Sequence, residues 1–153
     1  MTGVQTCALP IFSEEKELIG KLKKAFLMVA GGAVQKYGPD LDAHQQLLTA
    51  AADMLIEIYM AESTILRTEK LAKKQGEDKV KEQIAMAKLY LYKAVDVITQ
   101  KGKESIISFA EGDEQRMMLM GLRRFTKYTN MPNIVGLRET ITTKLVAENS
   151  YCF

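Results

Sequence analysis

A single histidine, two cysteines and scattered carboxylates are what this 153-residue chain offers to metal or nucleophilic chemistry. With His44 alone, no two-histidine metal site can be assembled within the chain, and no Glu-x-x-His pair of the di-iron bundle type occurs. Neither catalytic nor metal-ligating residues are expected, and no residue is assigned to a cofactor. His44 could act as general base only beside a Ser or Cys nucleophile; one turn into a helix start, it reads as a capping or polar-contact residue. Asp53 and Glu57 stand one helical turn apart, the spacing at which two carboxylates can divide acid and base work. Without a visible partner, they read as a solvated helix face. Glu62 falls on an apolar seam, so it either pairs with a Lys or Arg from a neighbouring helix or faces a polar interface. Gly31-Gly32 is no dinucleotide loop, because no strand precedes it; close helix packing is the expectation.

Two basic groups remain. Lys70, Lys73, Lys74, Lys79 and Lys81 flank a turn, where cations complement a helix C-terminus and keep a loop solvated. Arg116, Arg123, Arg124 and Lys127 share a segment with Met117, Met118, Leu119, Met120, Leu122 and Phe125. Such a basic amphipathic segment fits an anionic membrane surface; the other reading is a Met-rich core face beneath a charged one. A net charge of +2 is too small for a phosphate-polymer footprint, so no nucleic-acid partner is expected. There is no uncharged apolar run of the ~18 residues that a bilayer span needs.

The elements that must carry these residues all read as helix. Ser13 is placed as an N-cap, Glu14 and Glu15 put negative charge in the first turn, and Leu18, Leu22, Phe26, Val29 and Ala33 follow the 3.6 period. This predicts a helix over 13–37, stopped by Gly38 and Pro39. Asp40 is positioned to cap a second helix over 41–74, terminated by Gly76. Its predicted stripe is Leu41, Leu48, Ala51, Leu55, Ile58, Ile65 and Ala72, with His44 and Glu62 on the same rows. A third helix over 77–110 keeps Val80, Ile84, Ala87, Leu91, Val95, Ile98, Gly102, Ile106 and Phe109 in register, with Gly102 as a point of bending and Gly112 as the stop. A fourth helix over 113–127, a turn at 129–133 and a last helix over 134–148 complete the chain. The prediction is an all-α, antiparallel four-helix-type bundle with an additional short C-terminal helix.

Residues 1–11, MTGVQTCALPI, carry no charge and no period that connects them to the charged sequence after Phe12. The run resembles the in-frame translation of a sequencing-library adapter. It lacks the positive n-region and apolar core of a secretory signal. It is expected to be disordered and foreign to the domain 12–153, with native sequence expected upstream of Phe12. That leaves Cys152, which has no intramolecular partner, and a reducing, cytoplasmic compartment is the expectation.

The run Leu47-Leu48, Ala52-Asp53, Ile56-Glu57-Ile58-Tyr59 and Arg67 resembles the C-terminal helical domain of very-long-chain-type acyl-CoA dehydrogenases in their bacterial form. The resemblance extends to Ala25-Phe26 on the preceding helix and to the aromatic ending Tyr151-Cys152-Phe153, and covers 12–153. It rests on order and length, not on one signature. It implies a flavoprotein that introduces a trans-2,3 double bond into acyl-CoA thioesters by α-proton abstraction and hydride transfer to FAD, as in fatty acid β-oxidation. The catalytic Glu, the substrate cavity and most FAD contacts of such enzymes belong to the upstream region. The domain implied here is structural, packing over the upstream dehydrogenase domains and supporting a homodimer. No tightly bound FAD or acyl-CoA is expected on this segment. The stretch linked to membrane association in mitochondrial relatives lies before the matched region, so membrane contact stays open. The competing reading is a free-standing helical interaction domain without catalytic activity.

Overall fold

The computed structural model describes residues 11–153, and every regular element among them is helical. The elements are α1 (Ser13–Tyr37), α2 (Gln45–Gln75), α3 (Lys81–Phe109), α4 (Gly112–Phe125) and α5 (Ile134–Glu148), with short 3-10 helices at Gly38–Ala43 and Glu77–Lys79. The expected antiparallel bundle with a short additional helix is therefore the observed fold. Residues 1–10 of the adapter-like stretch lie outside the described residues, while Ile11 packs partly buried against the core. No helix among the described residues is long and apolar enough to cross a membrane.

Helix α1 starts and stops where its sequence demands, but Ser13 is its first helical residue and not its cap. Phe12 holds the cap position without a side-chain hydrogen bond and is itself wholly buried. Burial of an aromatic ring contributes more here than a hydroxyl cap would, typically worth ~1 kcal/mol. The second helix begins later than expected. Pro39 favours a tight first turn, and 38–43 forms a 3-10 segment in which Asp40 caps nothing; α2 starts only at Gln45. Gly76, at φ 92, ends it as expected.

The core stripe of α2 is also shifted in its first half. Leu47, Ala50 and Met54 are buried in place of Leu48, Ala51 and Leu55, and the expected register returns from Ile58 through Ile65 to Ala72. Helix α3 runs unbroken through Gly102 and buries Leu91, Val95, Ile98, Ile106 and Phe109 on the expected row. It packs against α1, α2, α4 and α5, so it forms the axis of the bundle. Helix α5 lies on α3, with the Asn133 side chain accepting the Gly136 amide at 3.1 Å and Asn149 closing it in the left-handed region.

Close packing accounts for one half of the Gly31-Gly32 pair. A Cβ on Gly32 would stand 2.8 Å from the Met118 terminal methyl and 2.9 Å from the Phe109 ring, whereas one on Gly31 meets nothing within 4 Å. Substitution at the two neighbours should therefore have opposite signs. Gly31→Ala is expected to stabilise by about 0.5–1 kcal/mol, because it removes unfolded-state freedom at no steric cost. Gly32→Val is expected to destabilise by about 1–3 kcal/mol through overpacking. Thermal unfolding followed by circular dichroism reads both, at about 2–4 °C per kcal/mol.

Candidate functional site

The carboxylates that sequence singled out are brought to separate cationic or hydroxyl partners and not to one another. The Asp53 carboxylate pairs with Lys101 Nζ at 3.1 Å, and Glu57 Oε2 accepts the Tyr90 hydroxyl at 2.9 Å. Both partners come from α3, so the side of α2 expected to be solvated is instead the polar edge of the α2–α3 contact. Each carboxylate is thus held by its own donor on α3. Glu62 resolves to the paired reading: Lys23 Nζ of α1 sits 2.7 Å from its Oε1. These are rim contacts, with Lys23 and Glu62 side chains 48% and 39% exposed, and pairs of this kind contribute ~0–1 kcal/mol.

His44 stands at the N-cap of α2 but makes no capping hydrogen bond. Its imidazole stacks on the Tyr37 ring at a centroid distance of 3.6 Å and an interplanar angle of 28°. The expected polar role is replaced by a face-to-face contact that packs the 3-10 segment onto the end of α1. Among the described residues there is no group of three or more His, Cys, Asp or Glu able to hold a metal ion.

The basic groups divide likewise. Lys73 reaches Glu69 at 3.6 Å and Lys81 reaches Asp78 at 3.1 Å, so the turn between α2 and α3 is locally charge-paired. On α4, Leu122 is buried and Met118, Leu119 and Phe125 pack against the core. Met117 and Met120 remain 67% and 55% exposed beside the exposed Arg116, Arg123 and Arg124. The Met-rich core reading thus describes the inner side of α4 only.

Sequence reasoning missed what lies under the turn between α4 and α5. Asn130 Nδ2 donates to Glu14 Oε1 at 2.6 Å, and Lys88 pairs with Glu15 at 3.2 Å, beside a partly open cavity of about 160 Å³ lined by Leu18, Leu91 and Pro132, with the exposed Met131 at its rim. The Tyr128 hydroxyl on its wall is buried without a hydrogen-bond partner. Burial, then the Asp96 and Glu15 carboxylates, push its pKa up, so it stays a neutral donor. Tyr90 is raised to about 12 by burial and by the Glu57 carboxylate it donates to.

Also missed was Glu69, nearly buried on α2 and bound by Lys16 Nζ of α1 at 2.6 Å. The hydrogen bond from Lys16 holds the Glu69 carboxyl below its ordinary value of 4.5, against the opposing effect of burial. A depressed folded-state pKa gives stability that is present above the unfolded value and lost as pH falls through the folded one. Thermal stability is therefore expected to decline as pH is lowered below about 4.5, with a shallower decline in Glu69→Gln. Identical acid profiles for Glu69→Gln and the unaltered chain would remove Glu69 from that account.

The family model for the acyl-CoA dehydrogenase C-terminal domain matches residues 21–124. A Bacillus subtilis (strain 168) protein described as a probable acyl-CoA dehydrogenase is 36% identical over 138 residues, 90% of this chain and 23% of that protein. The crystal structure of an acyl-CoA dehydrogenase complexed with FAD from Bacillus anthracis shares the fold at a TM-score of 0.89 and 36% identity, over 95% of this chain and 25% of that one. The chain spans about a quarter of the length of these relatives. A match over most of the sequence, carried by the same helices that hold α3 at the centre, means that the chain belongs to the acyl-CoA dehydrogenase C-terminal domain family.

Proposed function

We propose that this chain is the C-terminal, structural and dimer-supporting domain of an FAD-dependent acyl-CoA dehydrogenase, with 12–153 as the domain and 1–11 outside it. The observation that carries the reading is the shared fold and 36% identity with the FAD-complexed Bacillus anthracis enzyme over 95% of the chain. The reaction of the parent polypeptide is the α,β-dehydrogenation of an acyl-CoA thioester, a step of fatty acid β-oxidation. FAD, when bound by the parent enzyme, supplies the hydride acceptor. The described residues by themselves do not fit it. No glycine-rich turn between a strand and a helix is present among them to cradle its phosphates.

What this chain's residues supply is shape. The inter-helix pairs Lys16–Glu69, Lys23–Glu62, Lys88–Glu15 and Lys101–Asp53 fix helix faces against one another. A free-standing interaction domain is the less favoured reading, because both relatives carry the matched region within much longer dehydrogenase chains. Cytoplasmic placement belongs to the same proposal, in keeping with the free Cys152 thiol.

A full-length polypeptide ending in this sequence is expected to purify with flavin absorbance and to reduce an electron-accepting dye on addition of acyl-CoA. Residues 12–153 alone are expected to stay colourless after incubation with FAD, and titration calorimetry is expected to show no tight acyl-CoA binding. A flavin-loaded, active 12–153 segment would sink the assignment. Deleting 12–153 from the parent without change in its oligomeric state or thermal stability would remove the structural role.

A further inference from the structure

The chain has three asparagines, and the fold treats them unequally. The Asn130 side-chain amide is held on Glu14 Oε1 at 2.6 Å, and the Asn133 side-chain oxygen accepts the Gly136 amide at 3.1 Å. Asn149 is exposed at the C-terminal end of α5, in the left-handed region at φ 47 and ψ 29, and its main-chain N–H donates to Leu145 O at 3.0 Å. Asparagine is one of the few residues that stop a helix in this conformation. The residue after it, Ser150, is small and exposed, and its amide makes no main-chain hydrogen bond among the described residues. We propose that Asn149 is a deamidation site, at which the Ser150 amide nitrogen closes onto the Asn149 side-chain carbonyl and the end of α5 gains a negative charge.

The co-reactant is water. Hydroxide takes the proton of the Ser150 main-chain N–H, and the nitrogen attacks Asn149 Cγ. A C–N bond forms, the Cγ–Nδ2 bond breaks, and Nδ2 leaves as ammonia with a proton from water, which leaves a succinimide ring. Water then opens the ring at Cγ to give aspartate, or at the main-chain carbonyl to give an isoaspartyl link. Nothing is oxidised or reduced. Closure turns Asn149 about its Cα–C bond, and this breaks no main-chain bond of Ser150 among the described residues, at the end of a helix with no buried side chain. At Asn133 the same closure must break the contact that starts α5 and approach past the β-branched Ile134, which is stiff at χ1. At Asn130 it must first take the side chain from Glu14. The product carboxylate at position 149 faces the negative end of the α5 dipole. An isoaspartyl link also lengthens the main chain by one methylene just before Tyr151 and Phe153, whose rings meet edge to face at 5.9 Å.

The test incubates the full-length polypeptide ending in this sequence at neutral and at mildly alkaline pH, and maps its peptides by mass spectrometry. Asn149 is expected to convert first, to a mixture of aspartyl and isoaspartyl forms and faster at the higher pH, while Asn130 and Asn133 keep their amides. Isoelectric focusing is expected to show the same change as an acidic shift. Asn149→Gly, which keeps the left-handed stop, is expected to abolish the shift. Ser150→Val, which crowds the attacking nitrogen, is expected to slow it severalfold with the asparagine still in place. In urea, where Asn130 loses Glu14, conversion at Asn130 is expected to gain on that at Asn149. Earlier conversion at Asn130 or Asn133 in the folded polypeptide overturns the site. So does an Asn149 that stays intact when folded but converts in urea, which would mean that the rest of the polypeptide shields it, and so does an Asn149 to Asn130 ratio that urea leaves unaltered.

Discussion

Four helices have to reach α3 at the same time, and the side chains of α3 determine how near each can come. Interaxial distance in helical packing follows the size of the residues at the contact. On α3 those residues are small at intervals: Ala85, Ala87, Ala94, Gly102 and Ser105 are all buried. Gly102 shows the constraint at its sharpest, with the Leu122 methyls of α4 at 3.0 and 3.2 Å, and the Met54 methyl of α2 at 3.5 Å, from where a Cβ would lie. The bulk of the core is then supplied partly from outside α3, by Phe12, Leu22 and Val29 near and on α1 and by Met54 and Ile65 on α2. The short α4 can join the bundle only because glycine at 102 and 32 lets Leu122 and Met118 in.

The charged residues do a different job. Nearly every lysine–carboxylate pair that crosses between helices includes a partly exposed partner, as with Lys101 and Asp53, 32% and 39% exposed. Pairs of that kind add little stability each. Their number and placement around the bundle nevertheless fix which turn of one helix lies beside which turn of the next, since a slip by one turn would leave several charges unmatched at once. Lys144 adds the same kind of link to the last helix, pairing with Glu82 at 3.4 Å and lying 5.9 Å from the Phe153 ring centroid.

The helices were legible because their apolar period is long and their stops are explicit. The bounds of α1 and α5 follow from Glu14-Glu15, Gly38-Pro39 and the turn ending at Asn133, and all of these act locally. The failures occur where local signals conflict or distance intervenes. Helix α2 carries apolar residues on two sides, so Leu55 and Met54 were equally good core candidates by pattern, and a 3.5-residue repeat drifts from a 3.6-residue helix by about 20° per heptad. Only the position of α3 decides that Met54 goes in and Leu55 stays out. The cavity beside Tyr128 was illegible for another reason: it needs Glu14 and Asn130, 116 positions apart, to touch. Charge pairs such as Lys16–Glu69 were hidden likewise, because composition reveals that lysines and glutamates exist but not which helix faces which.

Helix α5 has no buried side chain and is tied to the bundle by its contact with α3 and one lysine–glutamate pair. A 15-residue helix of that kind is marginal alone, since nucleation is costly and propagation gains little per residue. Its backbone amides therefore exchange with solvent deuterium through a small local opening that leaves the other helices closed. The amides of α3, which packs against α1, α2, α4 and α5, are expected to exchange most slowly, through opening of the whole bundle. The domain thus carries a gradient of protection from its axis to its last helix, and both extremes of it lie in the second half of the chain.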